Sequence, residues 1–203
     1  MKKWLIGALV IIVLVVVGFV LWGRQGASQS KSTTANSSVK QSVVPTKKML
    51  IVYYSNSGTT EKAAKTIQKQ TGADMVKLRL SPNYPSDYSK LTVIAKRQID
   101  QKIHPEILNK IDIAKYSTIL LGFPTWYQRP PMFINTFFEK YDLTGKTVIP
   151  FTTSMSSSVA VSRPYLKKMI ANKKITLQKG FRANNTENIT TYLKQHHLEK
   201  YNK

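Results

Sequence analysis

The chain has 203 residues, of which 42% are hydrophobic, so it is long enough for one domain with a substantial core. It contains no cysteine, which excludes disulfides, thiol nucleophiles and iron–sulfur clusters and leaves any redox chemistry to an organic cofactor. The net charge is +21, but the bases form no stripe interleaved with aromatic residues, which argues against a nucleic-acid partner and for attraction to anionic lipid or another cell-surface polyanion.

Residues 5–22 form an apolar run without a charged side chain, which as a helix would span roughly 27 Å, about the hydrocarbon core of a bilayer. Two lysines precede the run and only Arg24 follows it closely, so the short N-terminus is expected in the cytoplasm. The sequence therefore predicts a single-pass anchor in the cell membrane over residues 1–24, with the C-terminal domain extracytoplasmic. A cleaved signal peptide is the alternative, since small residues follow at 26–28.

The chain after the anchor divides into a linker and a domain. Residues 25–47 are rich in Ser, Thr, Gln, Asn and Lys and have almost nothing to bury, which predicts a flexible polar linker. The domain is predicted over residues 48–203.

The domain begins with a strand, a polar loop and a helix. Residues 49–54 are an unbroken apolar and aromatic run, typical of a strand buried on both faces, and residues 61–70 have helical spacing. The loop between them consists of Ser55, Asn56, Ser57, Gly58, Thr59 and Thr60. Free N–H groups, hydroxyls and the positive end of a helix dipole in one place favour a phosphate ligand. The alternative is that these hydroxyls only cap the helix.

The remaining segments alternate between strands and helices. Buried strands are predicted at residues 118–123 and 147–151, and strands with alternating polarity at 75–80 and 175–177. Helices are predicted at residues 87–102, 132–140, 162–171 and 187–198. Pro150 is unexpected in a central strand because proline removes a ladder hydrogen bond. The alternation predicts an α/β fold with a doubly wound parallel sheet of five strands.

Two further loops follow buried strands in this scheme. One contains Pro124, Thr125, Trp126 and Tyr127, and the other contains Thr153 and Ser154. Ligands of doubly wound sheets bind beyond the carboxyl ends of the strands, so the polar loop 55–60 and these two loops are predicted to meet in one site. No Cys–His–carboxylate pattern suggests a metal, and none is predicted.

Three motifs resemble those of the flavodoxin family, in particular a small bacterial subgroup. They stand in the family's order as YYSNSGTT at residues 53–60, GFPTWY at 122–127 and PFTT at 150–153. The resemblance implies a flavodoxin-like sheet with strand order 2-1-3-4-5 and a noncovalently bound FMN. It places the FMN phosphate on the first loop and the isoalloxazine ring against the loop of Trp126.

Two features depart from the subgroup. Residues 155–158, Met-Ser-Ser-Ser, replace a glycine-rich stretch, and Tyr127 replaces a second tryptophan, so we expect a looser contact between the third loop and the ring. Trp126 as an ordinary core residue is the alternative to stacking on the ring.

The expected function is electron transfer by a membrane-tethered FMN protein. Its redox partner would lie at or near the membrane: a quinol, a membrane flavoprotein or a diffusible carrier. The alternative is an NAD(P)H- or quinone-dependent flavin oxidoreductase, and no catalytic residue is assigned. A surface binding module with a decayed flavin site is a third hypothesis.

Overall fold

The computed structural model describes residues 48–200. Its strands are β1 Met49–Tyr53, β2 Asp74–Lys77, β3 Leu80–Ser81, β4 Glu106–Ile107, β5 Thr118–Pro124, β6 Thr147–Thr153, β7 Thr176–Leu177 and β8 Phe181–Arg182. Its helices are α1 Thr59–Thr71, α2 Tyr88–Asp100, α3 Phe133–Lys140, α4 Arg163–Met169, which follows a 3-10 turn at Val159–Ser162, and α5 Thr186–Gln195. Each strand and helix predicted for the domain corresponds to an observed one.

The main sheet is parallel throughout. Its order is β2-β1-β5-β6, and both β7 and β8 pair with the far side of β6. This is the predicted α/β class and strand order, with the fifth strand divided into two pieces. The three central strands are almost wholly buried, which explains their unbroken apolar sequences.

Helices cover both faces of this sheet. On one face α1 and α5 contribute Ala64 and Leu193 to a buried cluster. On the other face α2, α3 and α4 contribute Leu91, Phe137 and Leu166 to a second, larger cluster. The sheet is therefore doubly wound, and the loops that leave its strands toward the helices lie at its carboxyl edge.

Pro150 is tolerated in β6 because its missing N–H group faces a break in the neighbouring strand. The carbonyls of Val148 and Thr152 accept hydrogen bonds from the fifth strand. Every second residue of a strand presents its backbone groups to the same neighbouring strand, so the backbone of Pro150, two residues from each, also faces the fifth strand. There Gly180 adopts φ +74° against the Pro150 carbonyl, whose oxygen would lie 2.2 Å from a Cβ at that position. The predicted strand 175–177 was therefore incomplete, since the strand resumes as β8.

The predicted strand at residues 75–80 was too long. β2 ends at Lys77, and Leu80 begins β3, which pairs with β4 in a separate two-stranded antiparallel ladder. Between them the Arg79 N–H donates to Asn109 Oδ1 over 2.6 Å. The chain thus leaves the main sheet because the return segment before β5 provides a second set of backbone partners.

Among residues 48–200, no helix has the length and apolar character needed to cross a bilayer. The predicted membrane span at residues 5–22 and the predicted linker at 25–47 lie outside the described residues, as do the last three residues of the predicted domain.

Candidate functional site

Thr153, the last residue of β6, connects the three loops at the carboxyl edge. Its Oγ1 lies 2.7 Å from Thr60 Oγ1 in the first turn of α1. Its carbonyl accepts a 2.9 Å hydrogen bond from the N–H of Thr125 in the loop after β5. Because Thr153 also begins the third loop, the three predicted loops meet as the sequence indicated.

The first loop leaves the opening N–H groups of α1 unpaired within the helix. The N-cap is Gly58, in the left-handed region at φ +89°. The first hydrogen bond of the helix runs from the Lys62 N–H to the Gly58 carbonyl over 2.9 Å, so the N–H groups before Lys62 have no partner within the helix. The exposed hydroxyls of Ser57 and Thr59 lie 3.3 Å from each other and do not cap the helix. This set of donors, at the positive end of a 13-residue helix, matches the chemistry of a phosphate.

Asn56 fixes the base of this loop. Its Oδ1 accepts a hydrogen bond from the Tyr54 hydroxyl, and its Nδ2 donates to the Pro85 carbonyl, both over 2.9 Å. The amide is thus bonded at both ends inside the protein. Of the predicted ligand-binding residues in this loop, Ser57, Gly58 and Thr59 are exposed, whereas Asn56 connects the loop to the segment before α2.

Three buried hydroxyls at the same edge have no hydrogen-bond partner among residues 48–200. They belong to Ser55, Thr125 and Thr152, which lie at or just beyond the ends of the adjacent strands β1, β5 and β6. A buried, unsatisfied polar group costs roughly 1–3 kcal/mol, so each calls for a partner such as ordered water or a polar ligand. Their concentration beside the three loops fits a site for a ligand with many polar groups.

The second loop turns sharply at two exposed residues. Trp126 and Arg129 exchange backbone hydrogen bonds of 3.1 and 3.0 Å around Tyr127 and Gln128, which adopt φ +50° and +55°. Left-handed backbone at two residues without glycine is strained, and such strain is most often found at functional sites. The Tyr127 hydroxyl donates to the Thr92 carbonyl over 3.0 Å, which joins this turn to α2.

Trp126 is half-buried and contacts an aromatic cluster by its edge. Its ring centroid lies 4.8 Å from that of Tyr84 at an interplanar angle of 75°, and 6.3 Å from that of Tyr54 at 83°. Part of the indole is therefore a core contact, as the alternative interpretation of this residue required. The partly exposed remainder is available to a flat ligand ring.

The third loop is fixed by residues that sequence reasoning missed. Asn184 brackets Ser154, because its Oδ1 accepts from the Ser154 N–H over 3.1 Å and its Nδ2 donates to the Ser154 carbonyl over 2.6 Å. The Arg182 guanidinium donates to the carbonyls of Ser154 and Met155 over 2.9 and 2.6 Å. These residues could have been found because they lie at the carboxyl end of the fifth strand, beside the other site loops. The sequence predicted that strand only over residues 175–177, so β8 and the residues at its end were not recognised.

Two tyrosines and one glutamate near the loops have shifted pKa values that fix their protonation states near pH 7. Burial raises the pKa of Tyr54 to about 12, and burial also raises the pKa of Tyr84. Hydrogen bonds from Lys77 and Lys65 lower the pKa of Glu61 to about 2. These two tyrosines therefore stay protonated and Glu61 stays charged near pH 7, so none of the three exchanges protons there.

Comparisons with known proteins agree with this geometry. A family model described as Flavodoxin matches residues 48–197. A crystal structure from Bacteroides eggerthii DSM 20697, provisionally named a flavoprotein, is 31% identical over 73% of this chain and 96% of its own, with a TM-score of 0.65. A second such crystal structure, from Bacteroides uniformis ATCC 8492, is 30% identical in sequence, covers 72% of this chain and 97% of its own, and has a TM-score of 0.63.

A third structure contains a ligand. It is a flavoprotein from Lactobacillus acidophilus NCFM in complex with FMN, 28% identical over 68% of this chain and 94% of its own, with a TM-score of 0.60. A search of curated proteins finds no match to this chain.

Proposed function

Because the chain belongs to the flavodoxin family, we propose that it binds FMN noncovalently and transfers electrons while tethered to a membrane. The observation that carries this proposal is the junction at Thr153, which brings a phosphate-type loop, an aromatic loop and a polar loop to one edge of the sheet. The FMN complex of the Lactobacillus acidophilus relative supports the choice of cofactor.

The residues present fit FMN. Ser57, Gly58 and Thr59 would bind the phosphate through exposed hydroxyls and unpaired N–H groups at the start of α1. Trp126 would contact the ring, and the third loop, braced at Ser154, would flank it. FMN itself supplies reversible one- and two-electron chemistry, whereas the protein orients the cofactor and limits its access to water.

The cofactor assignment is tested on the purified full chain by its visible spectrum and by FMN titration. We expect Ser57→Asp with Thr59→Asp to weaken FMN binding by at least about a hundredfold, because two carboxylates would repel the phosphate. The neutral pair Ser57→Asn with Thr59→Asn is the matched control. Thr60 is left unchanged, because its buried hydroxyl contacts Thr153 and a carboxylate there would destabilise the fold.

Equal FMN affinity in the charged and neutral pairs, with normal circular dichroism, would show that this loop does not bind the phosphate. An electron carrier should also show no steady-state oxidation of NAD(P)H with a quinone acceptor. Turnover in that assay would assign the chain to the oxidoreductases instead.

The membrane attachment rests on sequence alone. The apolar run at residues 5–22, with lysines ahead of it, supports an uncleaved anchor and an extracytoplasmic domain. Electrons would then come from a membrane quinol, a membrane flavoprotein or a diffusible carrier. Protease treatment of intact cells should release the domain, and protection until the membrane is breached would show the opposite topology.

A further inference from the structure

The stretch of chain that forms β6, α4, β7 and β8 carries positive charge without acidic residues, although Asp142 directly precedes it. Residues 143–186 contain eight lysines and arginines and no Asp or Glu. Four of these side chains donate hydrogen bonds to backbone carbonyls: Lys146, Arg163, Lys173 and Arg182. The side chains of the other four are exposed and make no hydrogen bond or ion pair with any residue in 48–200: Lys167, Lys168, Lys174 and Lys179.

Three of these free lysines, 167, 168 and 174, define what we call the lysine edge. They lie at the end of α4 and in the turn before β7, which is the amino edge of the sheet. Two backbone hydrogen bonds connect this turn to the start of β6: Gly145 N–H donates to the Lys174 carbonyl over 2.6 Å, and Thr176 N–H to the Lys146 carbonyl over 3.0 Å. The seven residues of β6 separate this edge from the site loops by roughly 20 Å.

The described chain begins at the same edge. The Lys48 carbonyl accepts a hydrogen bond from the Ser117 N–H over 3.1 Å, and the Ser117 carbonyl accepts one from the Thr147 N–H over 2.9 Å. The starts of β1, β5 and β6 are thus in register, and two strand spacings, about 10 Å, separate Lys48 from the start of β6. The predicted linker therefore joins the domain on the edge that carries the free lysines.

We propose that the lysine edge binds the anionic phospholipid headgroups of the membrane to which the chain is tethered, an inference that rests on the proposed attachment. Opposite charge and the entry point of the linker both favour this occupant, since clustered lysines near a negatively charged leaflet are attracted within a Debye length. The flavin site would then face away from the bilayer. A diffusible redox carrier could reach it there, whereas a quinol within the bilayer could not.

The test uses the full chain reconstituted with vesicles of phosphatidylcholine, either alone or with phosphatidylglycerol. Flotation measures attachment, and amine labelling followed by mass spectrometry measures the exposure of each lysine. We expect labelling of the lysine edge to fall by at least about fivefold in the anionic vesicles relative to the neutral ones, and to recover in high salt. The internal controls are three exposed lysines away from this edge, whose labelling should not change. Lys62 and Lys90 lie in the first turns of α1 and α2, at the opposite edge, and Lys179 lies between β7 and β8, beside the middle of β6.

Substitution separates location from total charge. In a variant that combines Lys167→Gln, Lys168→Gln and Lys174→Gln, the remaining lysines of this edge, such as Lys173, should be labelled equally in anionic and neutral vesicles. A second variant of the same net charge combines Lys62→Gln, Lys90→Gln and Lys179→Gln. In this variant, labelling of the lysine edge should still be lower in the anionic vesicles.

The outcomes distinguish the lipid contact from the anchor. Flotation with both kinds of vesicle but equal labelling would overturn the lipid contact and leave the anchor in place. Flotation with neither would overturn both proposals. Protection of the lysine edge by soluble polyglutamate but not by anionic vesicles would overturn the lipid in favour of a polyanion.

Discussion

Arg182 determines how firmly the third loop is fixed, because its guanidinium bonds to two consecutive carbonyls of that loop. We expect Arg182→Gln to raise the FMN dissociation constant by roughly tenfold, since each lost charge-assisted bond contributes on the order of 1.5–3 kcal/mol and part of this is recovered by water. Fluorescence titration measures the change. Arg163→Gln is the matched control, because Arg163 bonds instead to the Gln178 carbonyl. Equal losses in both variants would show a charge effect rather than a brace.

Trp126 combines a core contact with a ligand contact, and one substitution separates them. We expect Trp126→Ala to raise the FMN dissociation constant by about ten- to a hundredfold and to shift the flavin potential, because a stacked aromatic contributes roughly 1–3 kcal/mol. Thermal stability should also fall, since the indole packs against Tyr84. Lower stability with unchanged affinity and potential would mean that Trp126 serves the core alone.

Among the secondary-structure elements, the break between β7 and β8 depends on Gly180. Both Gly180 and Gly145 adopt φ near +75°, but a Cβ at Gly180 would meet the Pro150 backbone, whereas one at Gly145 would meet nothing within 4 Å. We expect Gly145→Ala to cost about 1 kcal/mol from backbone strain and Gly180→Ala roughly 1–3 kcal/mol more from the clash. Urea denaturation of both variants measures the difference. Equal losses would show that the fifth strand adjusts freely.

The local sequence predicted the elements whose hydrophobic pattern follows from burial between the sheet and its helices. Strands buried on both faces require continuous apolar residues, so β1, β5 and β6 were evident, and the loops after them followed from parallel topology. The ladder of β3 and β4 was not evident, because its two-residue strands depend on backbone partners far apart in the chain. Pro150 did signal an irregularity, but only the structure shows that the neighbouring strand adapts to it.

The whole molecule has too few acidic residues to balance its charge. Against 31 lysines and arginines there are 10 acidic residues, and the described part of the chain has three ion pairs between lysine and a carboxylate. Repulsion among the remaining bases destabilises the compact state, and salt screens it. We therefore expect the thermal midpoint of the full chain to rise by several degrees from low to physiological ionic strength. A midpoint that falls with sodium chloride would contradict this.

The divided fifth strand also affects how two copies of the chain meet. A sheet edge with a long run of free backbone groups invites strands of other molecules to pair with it and thereby to aggregate. Here β7 and β8 each offer only two residues, and the left-handed Gly180 bends the chain between them. An incoming strand would lose its register after one short stretch, so the kink that accommodates a proline inside the sheet also protects its outer edge from intermolecular pairing.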